Sequence, residues 1–231
     1  MQTEAGQVAL VAGASGMMGR ELLRALAAGG AYRRVIALSR RPLSFESPRL
    51  ANRIIRFESI ENDLRGLVCD DAYCCLGTTL REAGSPQAFR AVDHDLVLRF
   101  ARFAQSAGAK TLVTVSSAGA APEARSFYLQ VKGETELALT ALRFRSLHLM
   151  QPSLLLGART QWRPAEALGR LIAPLCNPLL LGRYECWRAI PARTVAAAMC
   201  AAAALGAPGV YRHTWRALQS LAQSGRLPTR V

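Results

Sequence analysis

A tyrosine and a lysine stand four residues apart, with the spacing Y-x-x-x-K from Tyr128 to Lys132. On a helix, residues i and i+4 share a face, so this spacing places the ammonium beside the phenol. A free phenol has a pKa of about 10, and a nearby cation lowers that value by favouring the phenolate. The pair could therefore transfer a proton near neutral pH. The alternative interpretation is a surface tyrosine beside a solvated lysine.

Two serines end the strand predicted before this helix. Ser116 and Ser117 precede Tyr128 by 12 and 11 residues. Either hydroxyl could hydrogen-bond a substrate carbonyl while the tyrosine delivers a proton, and the pattern leaves open which one does. The chain has 29 basic residues but only two lysines, Lys110 and Lys132. An arginine would carry the same charge at 132, but it is bulkier and a different hydrogen-bond donor.

Three glycines near the N-terminus, Gly13, Gly16 and Gly19, have the spacing G-x-x-G-x-x-G. They follow an apolar run at 8–12 and open an amphipathic segment at 17–28. In a phosphate loop the first glycine permits a tight turn, the second lets the backbone approach a pyrophosphate, and the third lets the helix pack on the sheet. The amides at the helix start then bind the anion. Glycines also mark plain turns, but this context predicts dinucleotide binding.

The end of the second predicted strand indicates which dinucleotide is preferred. An acid about 20 residues after the last glycine would bind the ribose 2′-hydroxyl of NAD. This chain has Ser39 there, followed by Arg40 and Arg41. Two guanidinium groups suit a 2′-phosphate, so the sequence favours NADP(H). The alternative is that these are merely two of the 27 arginines.

The elements that must position these residues alternate between strands and helices. We predict strands at 8–12, 34–38, 53–57, 72–76, 111–115 and 146–151, and helices at 17–28, 85–107 and 127–142. This alternation predicts a doubly wound parallel α/β sheet of the Rossmann type. Residues 1–152 would form its core. Residues 153–231, with helices at 164–175 and 192–205, would form a small, mostly helical lobe over the carboxyl edge, and 1–231 would be one domain.

Composition excludes several classes of protein. Hydrophobic residues make up 51% of the 231 residues and charged residues 19%, which excludes a largely disordered chain. No apolar run reaches the roughly 18 residues of a membrane helix, and the first residues do not have the pattern of a signal peptide. The six cysteines include no C-x-x-C pair and no histidine at metal-ligand spacing. We therefore expect no metal site and a cytoplasmic protein with reduced thiols.

The net charge of +13 is concentrated towards the C-terminus, where residues beyond 140 include 12 arginines and two acids. Such a balance suits an anionic partner: nucleic acid, a membrane surface or a phosphorylated ligand. The other interpretation is a solvated surface in which arginine is the common cation. The arginines are scattered singly, without interleaved aromatics, so we favour the second interpretation and expect no nucleic-acid partner.

The chain resembles the atypical branch of the short-chain dehydrogenase/reductase superfamily and, more narrowly, the bacterial relatives of the human Tat-interacting protein TIP30. The resemblance covers residues from about 7 to about 160. The stretches that carry it are the glycine loop, CCLGTT at 74–79, FRAVD at 89–93, SSAGA at 116–120 and YLQVKGE at 128–134. The CCLGTT and YLQVKGE stretches are far more specific than the glycine loop.

The resemblance implies an NADP(H) site and a catalytic group. The residues implied to hold the pyrophosphate are Gly13, Ser15, Gly16, Met18 and Gly19. The residues implied to face the 2′-phosphate are Arg40 and Arg41. Those implied to line the path from the adenine-side ribose to the nicotinamide are Leu76, Gly77 and Thr78. Those implied to close over the nicotinamide are Pro152, Ser153 and Leu154. The implied catalytic group is Ser117 (or Ser116), Tyr128 and Lys132, with Lys132 also holding the nicotinamide ribose.

This sequence departs from the family pattern at three positions. Arg56 stands where many relatives have an acid that meets the adenine. Gln151 precedes Pro152, where arginine is common. Asp93 stands in place of the usual asparagine on the fourth helix, so the proton relay of the standard type is not implied.

Two functions follow from this reading. The first is an NADPH-dependent reductase of a small carbonyl compound, with an epimerase or dehydratase using bound cofactor as a variant. The second is a non-catalytic NADPH-binding regulator that acts through protein partners. The intact serine, tyrosine and lysine favour the enzyme. The oligomeric state is left open between a monomer and a weak dimer.

Overall fold

Every strand of the main sheet runs in the same direction, in a computed structural model that describes residues 6–157 and 182–224. The strands are β1 Gln7–Ala12, β2 Tyr32–Ser39, β3 Leu50–Ile54, β4 Asp71–Cys74, β5 Thr111–Val115, β6 Ser146–Met150, β7 Leu155–Leu156, β8 Ile190–Pro191 and β9 Gly209–His213. Seven of them form the sheet, in the order β3-β2-β1-β4-β5-β6-β9, while β7 and β8 pair separately.

Helices cover both faces of this sheet. They are α1 Met17–Gly29, α2 Ile60–Asp63, α3 Leu80–Ala83, α4 Pro86–Arg90, α5 Val97–Ser106, α6 Phe127–Ala141, α7 Ala192–Leu205 and α8 Trp215–Ser224. Short 3₁₀ turns at Phe57–Ser59 and Gly182–Trp187 and a π-helical segment at Ala91–Leu96 complete the described structure. Among these elements, no helix has both the length and the apolar character that crossing a bilayer requires.

Two hydrophobic clusters lie against the sheet, one on each face. Alternate residues of β1 point to opposite sides: Leu10 belongs to the cluster that contains Phe100 of α5, and Val11 to the one that contains Leu22 of α1 and Met199 of α7. This two-sided burial explains why β1 is apolar throughout.

The strand order places the main crevice of the molecule. From β1 the chain winds outward through β2 and β3, and it then returns to β4 on the other side of β1 and winds away through β5 and β6. In such sheets a crevice forms at the carboxyl ends of the two strands where the winding reverses. Here those strands are β1 and β4, which pair in parallel and end at Ala12 and Cys74.

The predicted doubly wound parallel sheet and the mostly helical C-terminal part are confirmed. The helix start at Ser85 is also observed, since its hydroxyl accepts from the Ala88 N–H at 3.1 Å. The helix predicted at 85–107 forms as α4, the π-helical segment and α5, and ends at Ser106. The helix predicted at 164–175 lies outside the described residues.

Two strand predictions were wrong. The third strand runs over Leu50–Ile54 rather than 53–57, because it is an edge strand of mixed polarity, and the buried Ile55 and Phe57 follow it rather than belong to it. The strand β9, at the edge of the main sheet beside β6, was not predicted. Its residues alternate between partly exposed and exposed positions up to the buried His213, so they lack the apolar run that marks the central strands.

Candidate functional site

A cavity of about 360 Å³ opens at the carboxyl ends of β1, β4 and β5. Its walls come from the glycine loop, the loop after β4, the two serines after β5, the Y-x-x-x-K helix and the segment after β6. The lining residues are Ser15, Gly16, Met17, Met18, Arg20, Cys75, Leu76, Gly77, Thr78, Thr79, Glu82, Asp93, Val115, Ser116, Ser117, Tyr128, Lys132, Pro152, Ser153 and Leu155.

The glycine loop is held in place by close backbone packing. Gly13 has φ of +75°, and a Cβ there would lie 2.4 Å from the carbonyl carbon and oxygen of Cys75. A Cβ on Gly19 would lie 2.2 Å from the Gly13 carbonyl oxygen. Gly16 caps α1 and lines the cavity, and the first turn of α1 contains no acid. A helix N-terminus with this open backbone suits a phosphate group, so the loop fits a dinucleotide pyrophosphate.

Helix α6 brings Tyr128 and Lys132 to the cavity together. The Tyr128 ring packs against Phe89, with 5.5 Å between ring centroids. The Lys132 ammonium lies 2.7 Å from Oδ1 of Asp93, and the Asp93 side chain is fully buried. The cavity therefore holds a phenol and an ammonium on one helical face, as the i, i+4 spacing predicts.

The charge state of Lys132 results from two opposing effects. Burial opposes the ammonium form and by itself would lower the pKa of Lys132. The Asp93 carboxylate at 2.7 Å outweighs this effect, and the Tyr128 phenol adds to it, so the pKa of Lys132 is raised above its ordinary value. Lys132 is a cation throughout the neutral range.

The two serines after β5 differ in their surroundings. The hydroxyl of Ser116 is buried and donates to Glu136 at 2.5 Å. The hydroxyl of Ser117 is partly exposed and makes a long hydrogen bond of 3.3 Å to the Ala118 carbonyl. Both residues line the cavity, but only Ser117 has a weakly held hydroxyl.

The arginines predicted to bind a 2′-phosphate lie outside the main cavity. Arg40 and Arg41 are exposed at the end of β2. Arg40 lines a second, open cavity of about 470 Å³, whose other lining residues are Ile54, Ile55, Arg56, Glu58 and Asp63. The Ser39 hydroxyl is buried and donates to the Arg41 carbonyl at 2.6 Å, so it does not point into that cavity as a free ligand.

The other residues predicted to hold the cofactor are mostly brought together. Ser15, Met18, Leu76, Gly77, Thr78, Pro152 and Ser153 line the main cavity. Gly13 and Gly19 support the loop from beneath. Leu154 does not line the cavity. It is 43% exposed, and Leu155 lies in the cavity wall instead.

Sequence reasoning missed several wall residues, including Arg20, Cys75, Glu82 and Val115. Arg20 directly follows Gly19 and Cys75 directly precedes Leu76, so each adjoins a predicted site residue. Glu82, on the short helix α3, had no signal. Within residues 6–157 and 182–224, no three histidine, cysteine or acidic side chains come together as a metal site.

The strand order, the glycine loop and the serine, tyrosine and lysine around one cavity define a Rossmann-type protein of the short-chain dehydrogenase/reductase class. Residues 9–138 match the model of the NAD dependent epimerase/dehydratase family. The chain belongs to this family, and the resemblance seen in the sequence is confirmed.

Two named relatives are similar in sequence to most of this chain. HTATIP2 of Rattus norvegicus, the TIP30 protein, is 37% identical over 164 residues, which are 69% of this chain and 67% of the relative. FMP52 of Saccharomyces cerevisiae, named a mitochondrial protein, is 33% identical over 182 residues, 76% of this chain and 78% of the relative.

Solved structures share the fold at low identity. MoeE5 in complex with UDP-glucose and NAD has a TM-score of 0.67 at 20% identity, covering 90% of this chain and 75% of that one. A UDP-galactose 4-epimerase has a TM-score of 0.66 at 16% identity, covering 89% and 76%.

Proposed function

We propose that this protein is an NADP(H)-dependent oxidoreductase that acts on a small carbonyl compound. One observation carries the proposal: Ser117, Tyr128 and Lys132 face the same cavity as Gly16 at the start of α1. A protein that only sensed a nucleotide would need the phosphate loop but not a buried cation beside a phenol.

The residues of the chain have distinct parts in this reaction. The nicotinamide cofactor, when bound, supplies the hydride that the carbonyl carbon receives. The Ser117 hydroxyl hydrogen-bonds the carbonyl oxygen, and Tyr128 donates a proton to that oxygen as it becomes an alcohol. The Lys132 ammonium stabilises the phenolate that remains. Pro152 and Leu155 give the cavity an apolar wall against which a carbonyl substrate can pack.

The preference for NADP(H) is supported by the charges at the end of β2. Arg40 and Arg56 line the second cavity, and no acid occupies the position of Ser39 that would bind a ribose 2′-hydroxyl. Glu58 and Asp63 line the same cavity. Asp63 is engaged, however, because it accepts from the Arg56 N–H and the Ser59 hydroxyl at 3.1 and 3.0 Å. The exposed guanidinium of Arg40 at this cavity suits a 2′-phosphate.

Four cysteines of the described residues are free thiols: Cys69, Cys74, Cys75 and Cys200. Reduced thiols support a reducing compartment. The cytoplasmic location stays a prediction, and the fungal relatives are named as mitochondrial proteins.

Turnover of NADPH with a panel of aldehydes and quinones tests the proposal. Tyr128→Phe should lower turnover by about 100-fold or more, because the proton donor is lost, while NADPH affinity changes little. Tyr211→Phe, which removes a hydroxyl bonded to the Pro208 carbonyl away from the cavity, is the matched control. Tight NADPH binding without turnover on any panel member would overturn the proposal in favour of a non-catalytic regulator.

A further inference from the structure

A single buried carboxylate joins three parts of the candidate site. Oδ1 of Asp93 lies 2.7 Å from the Lys132 ammonium, and Oδ2 accepts from the backbone N–H of Thr78 at 2.7 Å. The Asp93 backbone carbonyl lies 3.1 Å from the Thr135 hydroxyl, whose shorter hydrogen bond of 2.7 Å goes to the Val131 carbonyl. Thr78 belongs to the loop after β4, and Lys132 and Thr135 belong to α6. Asp93 therefore fixes the loop and the helix relative to each other.

The surrounding packing leaves this carboxylate little freedom. Asp93 is 0% exposed and sits in the π-helical segment Ala91–Leu96, a local widening of the helix that is frequent at functional sites. A Cβ on Gly77 would lie 3.3 Å from Asp93 Oδ1 and 3.7 Å from the Lys132 ammonium. The glycine at 77 thus leaves room for the ion pair beside it in the cavity wall.

We propose that Asp93 is a positioning residue that holds the Lys132 ammonium against the loop of Thr78 and offsets part of its positive charge at Tyr128. This inference rests on the proposed function, since it concerns the same tyrosine and lysine. A carboxylate 2.7 Å from the ammonium weakens the positive field that reaches the phenol of Tyr128.

Among residues 6–157 and 182–224, a small set of other ionisable groups lies near the pair. Those that face it or share its cavity walls are Tyr128, Cys74, Cys75, Glu136, Glu82 and Arg20. Burial raises the pKa of the Cys74 thiol to about 11, so Cys74 is neutral at physiological pH. Glu136 is paired with Arg212 at 3.1 Å. Asp93 is thus the anion in direct contact with Lys132.

Asp93→Asn separates charge from architecture, because an amide oxygen still accepts from the Thr78 N–H. The measurement is the phenolate absorbance of Tyr128 against pH, obtained as the difference from Tyr128→Phe. We expect Asp93→Asn to move phenolate formation by Tyr128 to lower pH by about 1 unit or more. The reason is that the carboxylate no longer offsets the positive charge of Lys132. A purely structural role of Asp93 predicts an unchanged titration of Tyr128, and that result would overturn the proposal.

Asp95→Asn is the matched control. Asp95 lies two residues further along the same segment, and its side chain is 63% exposed and 2.7 Å from His94. Its charge is screened by water, so its removal should leave the Tyr128 titration unchanged. A shift equal to that of Asp93→Asn would show a general effect of net charge and would also overturn the proposal.

A second measurement needs no variant at position 93. The chain has only two lysines, so labelling lysine side chains for NMR gives two signals, and Lys132→Met assigns them. We expect the Lys132 signal to remain that of an ammonium through pH 10, and loss of its proton below pH 9 would overturn the ion pair. Neither measurement needs turnover. Absence of turnover with the expected titrations therefore rejects the oxidoreductase and leaves the role of Asp93 intact.

Discussion

The Ser116 hydroxyl donates to Oε1 of Glu136 over 2.5 Å, which engages this serine in the core although it borders the cavity. Glu136 is buried and also accepts from Gln151 at 2.8 Å and from Arg212 at 3.1 Å. The carboxylate thus links the ends of β5 and β6 to β9. Its partner serine is thereby engaged with the sheet, and the adjacent Ser117 is the serine that we propose for the substrate.

The two serines should therefore respond differently to removal of the hydroxyl. Ser117→Ala should lower turnover by about 100-fold, because the carbonyl loses a hydrogen bond, and should leave the melting temperature unchanged. Ser116→Ala should cost about 1–3 kcal/mol of unfolding free energy, because a buried carboxylate loses a donor. Turnover and denaturant unfolding measured on both variants check the assignment, and the reverse pattern would exchange the roles.

Arg40→Ala should weaken NADPH binding by about 10- to 100-fold, the loss expected for a hydrogen bond to a charged phosphate, and should change NADH binding by less than about threefold. Direct binding titrations with both cofactors measure the difference. Arg102→Ala, at an exposed position on α5, is the control for general loss of positive charge. Equal effects on NADPH and NADH would reject the contact with the 2′-phosphate.

Gly13→Ala should unfold or strongly destabilise the protein. The left-handed backbone at φ +75° and a contact of 2.4 Å with the Cys75 backbone together cost about 2–5 kcal/mol. Gly29→Ala, at the end of α1, is the control, because no atom lies within 4 Å of the added carbon. Thermal unfolding distinguishes them, and a stable Gly13→Ala protein that still binds nucleotide would contradict the described packing.

A buried pair of histidines joins β6 to β9. The Ser146 hydroxyl donates to the Ala207 carbonyl at 2.7 Å, so it accepts from Nε2 of His148 at 2.9 Å. Nδ1 of His148 then accepts from Nε2 of His213 at 2.9 Å. Nδ1 of His213 is left as a buried acceptor that has no hydrogen-bond partner among the described residues. Both rings are neutral in this arrangement, and Tyr211 stacks on them.

Acidification should destabilise the protein through this pair. Burial lowers the pKa of His148 to about 3 and that of His213 to about 4, from about 6.5 in the unfolded chain. Below pH 6.5 the unfolded chain therefore binds protons that the folded one does not. The contribution to stability is complete above pH 6.5 and is lost as the pH falls towards 4.

The expected loss between pH 7 and 4.5 is on the order of 2–5 kcal/mol, measured by denaturant unfolding at each pH. His148→Gln should flatten this dependence, because one of the two neutral rings is gone. His94→Gln, on the π-helical segment, is the control and should keep the slope. If the slope of His148→Gln equals that of the unaltered chain, the pair is not its source.

The sequence was sufficient to predict those parts of the fold that depend on local patterns. The predicted strand before Gly13 and the predicted helix start at Ser85-Pro86 each lie within one contiguous segment. The i, i+4 spacing likewise predicted that Tyr128 and Lys132 face one cavity. Each depends on residues within one or two helical turns or on a single strand, and these are the ranges over which periodicity and capping act.

Features that depend on distant segments were not predictable in the same way. The partner of Ser116 is Glu136, twenty positions later, and Arg212 on the missed strand β9 completes that carboxylate's contacts. The pairing of His148 with His213 likewise joins residues 65 positions apart. A single sequence has no periodic signal for such contacts, so it left Ser116 and Ser117 equivalent and assigned the histidines no role.

Strand β9 begins at Gly209, yet it pairs with β6, whose last residue is Met150. Closing so large a loop costs configurational entropy before any of its contacts form. During synthesis, the six other strands of the main sheet emerge and can associate while Arg212 is still untranslated. The nascent sheet then has an open edge beside β6 and a Glu136 without its arginine, so this side of the protein is completed only after β9 has been synthesised.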